Sequence, residues 1–365
     1  MKEKEPFRRS IMHRYYVITS LIILALLVSA CSADPASQSP NVVAPESIGH
    51  DDPGDTEKED AFAGIFDVPD PDFNSSYSLI QMYNGDVYYT NYTGIYRMDP
   101  ATGQKSTVTN QSLTQYFVVQ GDSVYYYDYE KESIMRIASS GEGEPVAQTI
   151  EGIDVPLLLG SMCKIGNTMF VYVNIYPDVG DYDYAFYAAE IDGKSDTLSF
   201  RKVTGWPSPN GMRYFLEPAS SSGVNALFDM FVQGIDSEEK IKLTSEMNTN
   251  KYIVTNKYIF FLQYTAEDFS KAEVRRMNLD GSDAQTFIDD SVNGDFFFAK
   301  YDEEYLYCFM TDYSRDTIED LLMFNQETGE SIEIPIIDFE QFDIAKGFIY
   351  GYDRAEKDVV RIQLP

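Results

Sequence analysis

From about residue 62 to its end, the chain consists of short apolar runs separated by turn residues. The segment 84–104, NGDVYYTNYTGIYRMDPATGQ, shows the pattern: an Asn-Gly turn, an aromatic and β-branched run, a polar loop, a second apolar run and a turn that contains glycine. Such runs between turn signals predict β-strands joined as hairpins. Related segments begin at residues 121, 166, 256, 302 and 346, so the hairpin is one copy of a repeated unit.

The spacing of the copies predicts the architecture. The aligned aromatic strands lie at Val87, Val124, Met169, Ile259, Leu306 and Ile349, which are 37, 45, 90, 47 and 43 residues apart. The interval of 90 implies a degenerate copy between Lys202 and Asn250, with GMRYFLEP or VNALFDMFVQ as its strands. Repeats of about 40 to 50 residues with four short strands are typical of β-propeller blades. We therefore predict an all-β propeller over residues 61–365 with seven four-stranded blades, or six if the degenerate region is an insertion.

Two further features of the propeller are predicted from the same pattern. The last copy ends one strand early, and AFAGIFDV (61–68) is the candidate for the missing outer strand. The longest loops, around Asp178–Tyr184, Tyr264–Lys271 and Asp312–Asp320, occupy equivalent places in their copies and should build one face.

The first 30 residues have the pattern of a signal peptide. A basic start precedes the apolar run Val17–Ala30, whose 14 residues are fewer than the roughly 20 that a spanning helix needs. The run ends in Val28-Ser29-Ala30-Cys31, which resembles the bacterial lipobox. The resemblance implies that Cys31 is diacylated and anchors the mature chain to a membrane. The alternative is an ordinary cleavage site at which Cys31 is incidental.

Residues 31–60 after this site are rich in Ser, Pro, Asp and Glu and nearly free of aromatic residues. Such a segment cannot bury enough apolar surface to offset the entropy of ordering it. We therefore predict a disordered acidic tether that spans roughly 30 Å between the acylated Cys31 and the propeller.

Charge and rare residues exclude several functions. The chain of 365 residues has a net charge of -31, and loss of residues 1–30, with five basic and two acidic residues, leaves -34. This charge argues against a nucleic-acid partner. The two histidines, His13 and His50, lie outside the predicted propeller, which leaves no histidine there for a Ser-His-Asp system or a zinc site. Cys163 and Cys308 lie in or beside apolar runs and are predicted to be buried free thiols.

Several strands carry a family resemblance. Val87-Tyr88-Tyr89-Thr90-Asn91 resembles the YWTD repeat of low-density-lipoprotein-receptor-like propellers, and Tyr125–Asp128 is a second approximate copy. VRRMNLDGS (274–282) is similar to the strand that leads into that family's LDGS turn. A closer likeness is to bacterial extracytoplasmic proteins of unknown function with divergent propellers, often lipoproteins. These resemblances imply a binding scaffold without catalytic residues, and the YWTD family implies six blades where the spacing implies seven.

Candidate contact residues are few. Trp206, the single tryptophan, lies in the loop TGWPSPNG and is either a ligand contact or a loop anchor. Asp178, Asp181 and Asp183 form the tightest acidic group of the predicted propeller. Such oxygen-rich loops can bind calcium, although this one lacks the glycine and distal glutamate of an EF-hand. We therefore predict weak binding roles for these four residues, no required metal or cofactor, and calcium as the alternative.

Together these features predict a monomeric, membrane-anchored extracytoplasmic lipoprotein whose propeller binds an envelope or extracellular protein, peptide or glycan without catalysis. The outer surface of a Gram-positive cell is the favoured location, and the periplasmic face of a membrane is the alternative. The alternative function is a carboxylate-dependent glycan-active enzyme, because glycoside hydrolysis needs two carboxyl groups and no histidine.

Overall fold

A computed structural model of the chain describes residues 80–364 except 92, 111–115, 176–182, 220–226, 249–250, 265–270, 293–294, 313–316, 335–338, 346 and 354–355. All of them belong to one of the two units into which the chain divides, Gly54–Pro365. The described residues form 28 strands and no helix. No described helix is therefore available to cross a membrane.

Seven sheets follow one another along the chain and form the blades of a propeller. Blade one contains β1 (Ile80–Tyr83), β2 (Asp86–Thr90), β3 (Ile95–Met98) and β4 (Lys105–Thr109). Blade two contains β5 (Phe117–Gln120), β6 (Ser123–Asp128), β7 (Ser133–Ala138) and β8 (Val146–Ala147). Blade three contains β10 (Leu159–Ile165), β11 (Thr168–Ile175), β12 (Asp183–Glu190) and β14 (Arg201–Val203). Between these two blades, β9 (Thr149–Glu151) pairs in parallel with β13 (Thr197–Ser199).

The remaining blades include two with three strands. Blade four contains β15 (Met212–Pro218), β16 (Phe228–Gly234) and β17 (Lys240–Met247). Blade five contains β18 (Tyr252–Val254), β19 (Tyr258–Tyr264), β20 (Ala272–Asn278) and β21 (Gln285–Val292). Blade six contains β22 (Asp295–Tyr301), β23 (Tyr305–Asp312), β24 (Thr317–Asn325) and β25 (Ser331–Ile334). Blade seven contains β26 (Phe339–Ala345), β27 (Phe348–Asp353) and β28 (Asp358–Gln363). The prediction of seven blades is confirmed and that of six is wrong, because both candidate strands of the degenerate copy form.

The aromatic strands are buried on both faces because each sheet lies between two others. In β6, Val124 and Tyr126 pack against blade one, whereas Tyr125 and Tyr127 pack against blade three. All four side chains are fully buried. Alternation along a strand therefore fills two interfaces with a continuous apolar run.

Each pair of neighbouring blades has its own buried apolar cluster, seven in all among the described residues. The cluster that joins blade seven to blade one includes Tyr350 and Val359 from one side and Val87 and Tyr89 from the other. The ring is thus closed by packing between its first and last blades.

Blade four lacks its innermost strand. Asn210-Gly211 precedes β15 as Asn84-Gly85 precedes β2, the second strand of blade one. In addition, a Cβ on Gly281 of blade five would lie 2.9 Å from the Leu243 oxygen in β17. The equivalent glycines of blades two and six, Gly141 and Gly329, lie against the fourth strands of the preceding blades. The strands β15, β16 and β17 therefore take the second, third and fourth positions.

The segment Thr204–Pro209 runs where blade four would have its first strand. Pro207 and Pro209 cannot donate to a strand ladder, and the Thr204 oxygen accepts from the Arg213 guanidinium at 2.8 Å in place of a backbone amide. The strand place beside β15 is therefore not filled by a strand.

Blade seven has no fourth strand among the described residues. At its outer edge, Lys105 of blade one donates to the Val359 carbonyl at 2.8 Å. The predicted closing segment 61–68 lies outside the described residues, as do the signal peptide, Cys31 and the acidic tether. Those statements remain predictions.

Candidate functional site

Blade three presents an aromatic surface to blade four. Met169 and Val171 of β11 pack in the cluster between blades two and three, so the residues that alternate with them face blade four. The same alternation holds along β12, where Ala185 and Tyr187 belong to that cluster. The aromatic residues that face blade four are Phe170 and Tyr172 of β11 and Tyr184 and Phe186 of β12.

Four of the side chains near this interface form a continuous set, which we call the aromatic file: Tyr172, Tyr184, Phe186 and Trp206. The ring centroids of Tyr172 and Phe186 are 5.5 Å apart and stacked, and Tyr184 meets both rings edge-on at 5.4 and 5.5 Å. Trp206 continues the file at 6.2 Å from Phe186. Tyr184 is 56% exposed at one end, whereas Trp206 is partly buried at the other. The file therefore leads from solvent into the interface.

Two of the four predicted contact residues lie at the ends of the aromatic file. Trp206 packs against the small cluster between blades three and four, so it anchors its loop and also ends the file. Asp183, the first residue of β12, is exposed beside Tyr184, and its carboxylate accepts a hydrogen bond from the Tyr184 amide at 2.8 Å. Asp178 and Asp181 lie outside the described residues. The structure thus brings Trp206 and Asp183 to the two ends of one aromatic surface.

The facing wall belongs to blade four. Tyr214 of β15 and Met230 of β16 pack toward blade five, so the residues that alternate with them along each strand face blade three. Phe215 and Phe231 stack there with centroids 5.7 Å apart. Arg213 lies 4.2 Å above the Phe215 ring. Lys240 likewise lies 4.6 Å above the Phe231 ring, so the wall is aromatic with a cation over each of its two rings.

The interface between these walls has the smallest buried core. Four buried residues form its cluster, against six or more in each of the other six clusters of the described chain. A missing inner strand accounts for the difference, because its side chains would otherwise fill the interface.

A partly buried ion pair lies among the innermost strands elsewhere in the ring. Lys300 of β22 and Asp343 of β26 are 3.6 Å apart, with 20% and 18% of their side chains exposed. Burial raises the pKa of Asp343, and the Lys300 ammonium opposes the rise. Burial, together with the Asp343 carboxylate, also raises the pKa of Tyr301.

A polar cavity of about 330 Å³ lies between blades seven and one, lined by Tyr89, Tyr96, Lys105 and Asp358 among others. Two of its charged groups are paired, because the Lys105 ammonium lies 2.6 Å from the Asp358 carboxylate. Asn91 also donates to that carboxylate, at 3.4 Å. Hydrogen bonds and an ion pair around the cavity thus join blade seven to blade one.

Metal ligands and thiols complete the chemistry. In the parts of the chain that the structure describes, no group of three or more His, Cys, Asp or Glu side chains is arranged to hold a metal ion. Calcium binding at Asp178, Asp181 and Asp183 therefore remains an untested alternative.

Cys163 and Cys308 are buried free thiols, as predicted, and burial raises the pKa of both.

The sequence did not single out Tyr172, Phe186, Phe215 or Phe231. Aromatic residues on strands occur in every copy, where they pack between blades, and nothing local distinguishes these four. The usable signal was indirect: Pro207 and Pro209 stand where the degenerate copy needs a first strand, which predicts an unfilled space beside it.

No family model matches this chain, and no curated protein matches it. It is similar to the solved acylaminoacyl peptidase of Pyrococcus horikoshii, with 10% identity, a TM-score of 0.50, and coverage of 77% of this chain and 48% of that one. It is also similar to the β-propeller domain of the Trilobed protease from Pyrococcus furiosus, with 9% identity, a TM-score of 0.47, and coverage of 76% and 90%. A third similar structure is an oligogalacturonate lyase in complex with manganese, with 10% identity, a TM-score of 0.49, and coverage of 74% and 83%.

The chain thus spans about half the length of the acylaminoacyl peptidase. Enzymes occur among these similar proteins, but at such low identities the likeness concerns the propeller fold alone.

Proposed function

We propose that the mature chain is a lipid-anchored extracytoplasmic scaffold and that its propeller binds a polypeptide segment, without catalysis, between blades three and four. The observation that carries the proposal is the aromatic file, which leads from the exposed Tyr184 toward an interface with a small core. Aromatic rings supply large contact areas and favourable stacking to apolar side chains.

The composition of the site favours a polypeptide over a glycan. Phe186, Phe215 and Phe231 offer no hydrogen bonds to sugar hydroxyls, whereas they complement apolar and aromatic side chains. The Arg213 guanidinium already donates to the Thr204 carbonyl and to the Gln233 side chain, which reduces its capacity for new polar contacts.

The test is affinity selection of a displayed random-peptide library on the wild-type chain, followed by titration of the selected peptides. Tyr184→Ala removes an exposed ring of the file and should weaken binding at least about tenfold, as expected for an aromatic anchor. Ile332→Ala is the matched control, because Ile332 is 44% exposed on the outer strand of blade six. Equal affinities for wild type and Tyr184→Ala would overturn the site, and selective binding of glycans alone would overturn the ligand class.

The predicted lipid anchor is tested by a separate experiment. Lipidation at Cys31 should add the mass of the acyl chains and move the protein into the detergent phase of a two-phase extraction. Cys31→Ala should abolish both effects. An unmodified N-terminus in both proteins would show that the chain is secreted or remains unprocessed, and the scaffold proposal would then lose its membrane anchor.

One observation favours the alternative of a carboxylate-dependent enzyme: the raised pKa of Asp343 among the innermost strands. General acids of glycosidases have such raised pKa values. If this alternative holds, a panel of oligosaccharides should include a substrate that the wild type cleaves and Asp343→Asn does not. A panel without turnover would remove the alternative.

A further inference from the structure

The inner edge of β15 carries backbone groups that no other strand pairs. The amide of Ala219, directly after β15, donates to the Leu227 carbonyl across the pair with β16. Odd-numbered residues of β15 therefore bond to β16, and even-numbered residues point their N–H and C=O groups the other way. Two contacts confirm this direction: the Met212 oxygen accepts from the Ser208 amide, and the Tyr214 oxygen accepts from the Tyr252 hydroxyl.

The rest of this edge has no partner among the residues that the structure describes. Within the described chain, the N–H of Tyr214 and the N–H and C=O of Leu216 have no hydrogen-bond partner. Leu216 is half-buried and packs beside the cluster of blades four and five. Unpaired backbone groups in a half-buried place are costly, and they bind most strongly to another backbone.

From this edge we infer that blade four is completed by its ligand: an extended segment of a partner polypeptide pairs with β15 in the place of the missing innermost strand. The inference rests on the proposed function and specifies its geometry. Main-chain hydrogen bonds to Leu216 and the Tyr214 amide would supply affinity, as in other complexes formed by strand addition.

The walls on either side set the preferred side chains. Alternate residues of the added strand would lie beside Phe215 on the face toward blade three and beside Leu216 on the face toward blade five. The Tyr252 hydroxyl already occupies the Tyr214 carbonyl, so the added strand pairs mainly at Leu216. We expect the bound segment to be short, extended and apolar or aromatic at alternate positions.

The test uses the full chain and a peptide selected on it from a random displayed library. Hydrogen exchange resolved to single amides should show that Tyr214 and Leu216 gain protection when the peptide binds. The amides of Arg213 and Phe215, which pair with β16, are internal controls and should be protected in both states.

Variants separate backbone pairing from side-chain contact. Leu216→Pro removes the edge amide and leaves the ladder to β16 intact, so it should weaken binding at least about tenfold. Leu216→Ala keeps the amide and removes only the side chain beside the added strand, so it should weaken binding less than Leu216→Pro does. Tyr252→Phe frees the Tyr214 carbonyl without changing the ring, so it should tighten binding about threefold, and it tests the inference even if Leu216→Pro does not fold.

The outcomes distinguish the two proposals. A peptide that depends on Tyr184 but protects neither edge amide overturns strand addition and leaves the binding site in place. Unchanged or weaker binding by Tyr252→Phe likewise overturns strand addition. If no peptide is selected at all, both proposals fall.

Discussion

Single residues at turns show how closely the backbone follows the sequence. Asn84 and Gly85 both have positive φ, 49° and 90°, which is the geometry of the two-residue hairpin predicted from Asn-Gly. Gly152 is more tightly constrained. Its φ is +82°, and a Cβ there would lie 1.9 Å from the Phe200 carbonyl oxygen. This glycine allows the close approach of β9 and β13.

Gly152→Ala should therefore lower the free energy of unfolding by about 2–4 kcal/mol, since it combines a strained φ with a backbone clash. Gly166→Ala is the control: its φ is +54°, and nothing lies within 4 Å of the added methyl group. That change should cost only about 1–2 kcal/mol. Urea denaturation midpoints measure both, and equal losses would contradict the clash.

The Asp343 carboxyl group predicts a pH dependence. Its pKa in the folded chain is raised above the usual 3.8, so the folded state binds the proton more tightly than the unfolded state does. The stability it contributes is complete below pH 3.8 and is lost as the pH rises through the raised pKa. Relative to wild type, Asp343→Asn should therefore gain unfolding free energy as the pH rises above 3.8.

Denaturant unfolding across this pH range gives the comparison. The control is Asp236→Asn, the same carboxyl-to-amide change at a surface ion pair with Arg201, where 56% of the Asp236 side chain is exposed. Parallel profiles for wild type and Asp343→Asn would show that Asp343 is not responsible.

At the scale of strands and blades, a recurring arginine links three of the blades to the next blade. On the third strand of three blades, an arginine opposite the second-strand aromatic residue donates to a carbonyl in the next blade's final turn. The pairs are Arg136 to Gly193, Arg276 to Gln326 and Arg361 to Ala101. In blade one, Arg97 pairs instead with Asp86 of its own blade. The arginine in the repeated IYRM-like strand is thus a connector between blades.

Arg276→Ala should lower the free energy of unfolding by about 1.5–3 kcal/mol. It removes hydrogen bonds to the Gln326 and Glu327 carbonyls and a stacking contact 4.4 Å above the Tyr258 ring. Arg275→Ala is the neighbouring control. Arg275 pairs at 3.6 Å with the partly exposed Glu273, so its loss should cost less than about 1 kcal/mol. Thermal unfolding of the two variants should separate them, and equal shifts would contradict the connector role.

Prediction from sequence succeeded where information is local. Asn-Gly turns, aromatic strands and a regular spacing are visible in the sequence itself, so the propeller fold and its seven blades could be predicted from them. The sites depend on distant partners. Tyr184 meets Phe186 two residues away, but the file also includes Trp206, which the fold brings beside Phe186. The degenerate copy was located by its spacing, whereas the packing of Gly281 against β17 established which of its strands is missing.

At the scale of the molecule, a count of thiols tests the burial of the propeller and the fate of Cys31 together. In native protein at about pH 8, Ellman's reagent should label no cysteine, because Cys163 and Cys308 are buried and their pKa values are raised. In denaturant it should label two, since acylation consumes the Cys31 thiol. Cys31→Ala should also give two. A third thiol in the denatured wild type would contradict lipidation, and labelling of the native protein would contradict burial.

Because the seven clusters are separate, the apolar side chains of each blade pack only against the two neighbouring blades. A substitution in one blade therefore affects the packing at two interfaces between blades, and the other five interfaces need not change. Such a ring can lose a strand from one member and keep its closure, as blade four shows. The molecule can therefore be altered, or redesigned for a new ligand, one blade at a time.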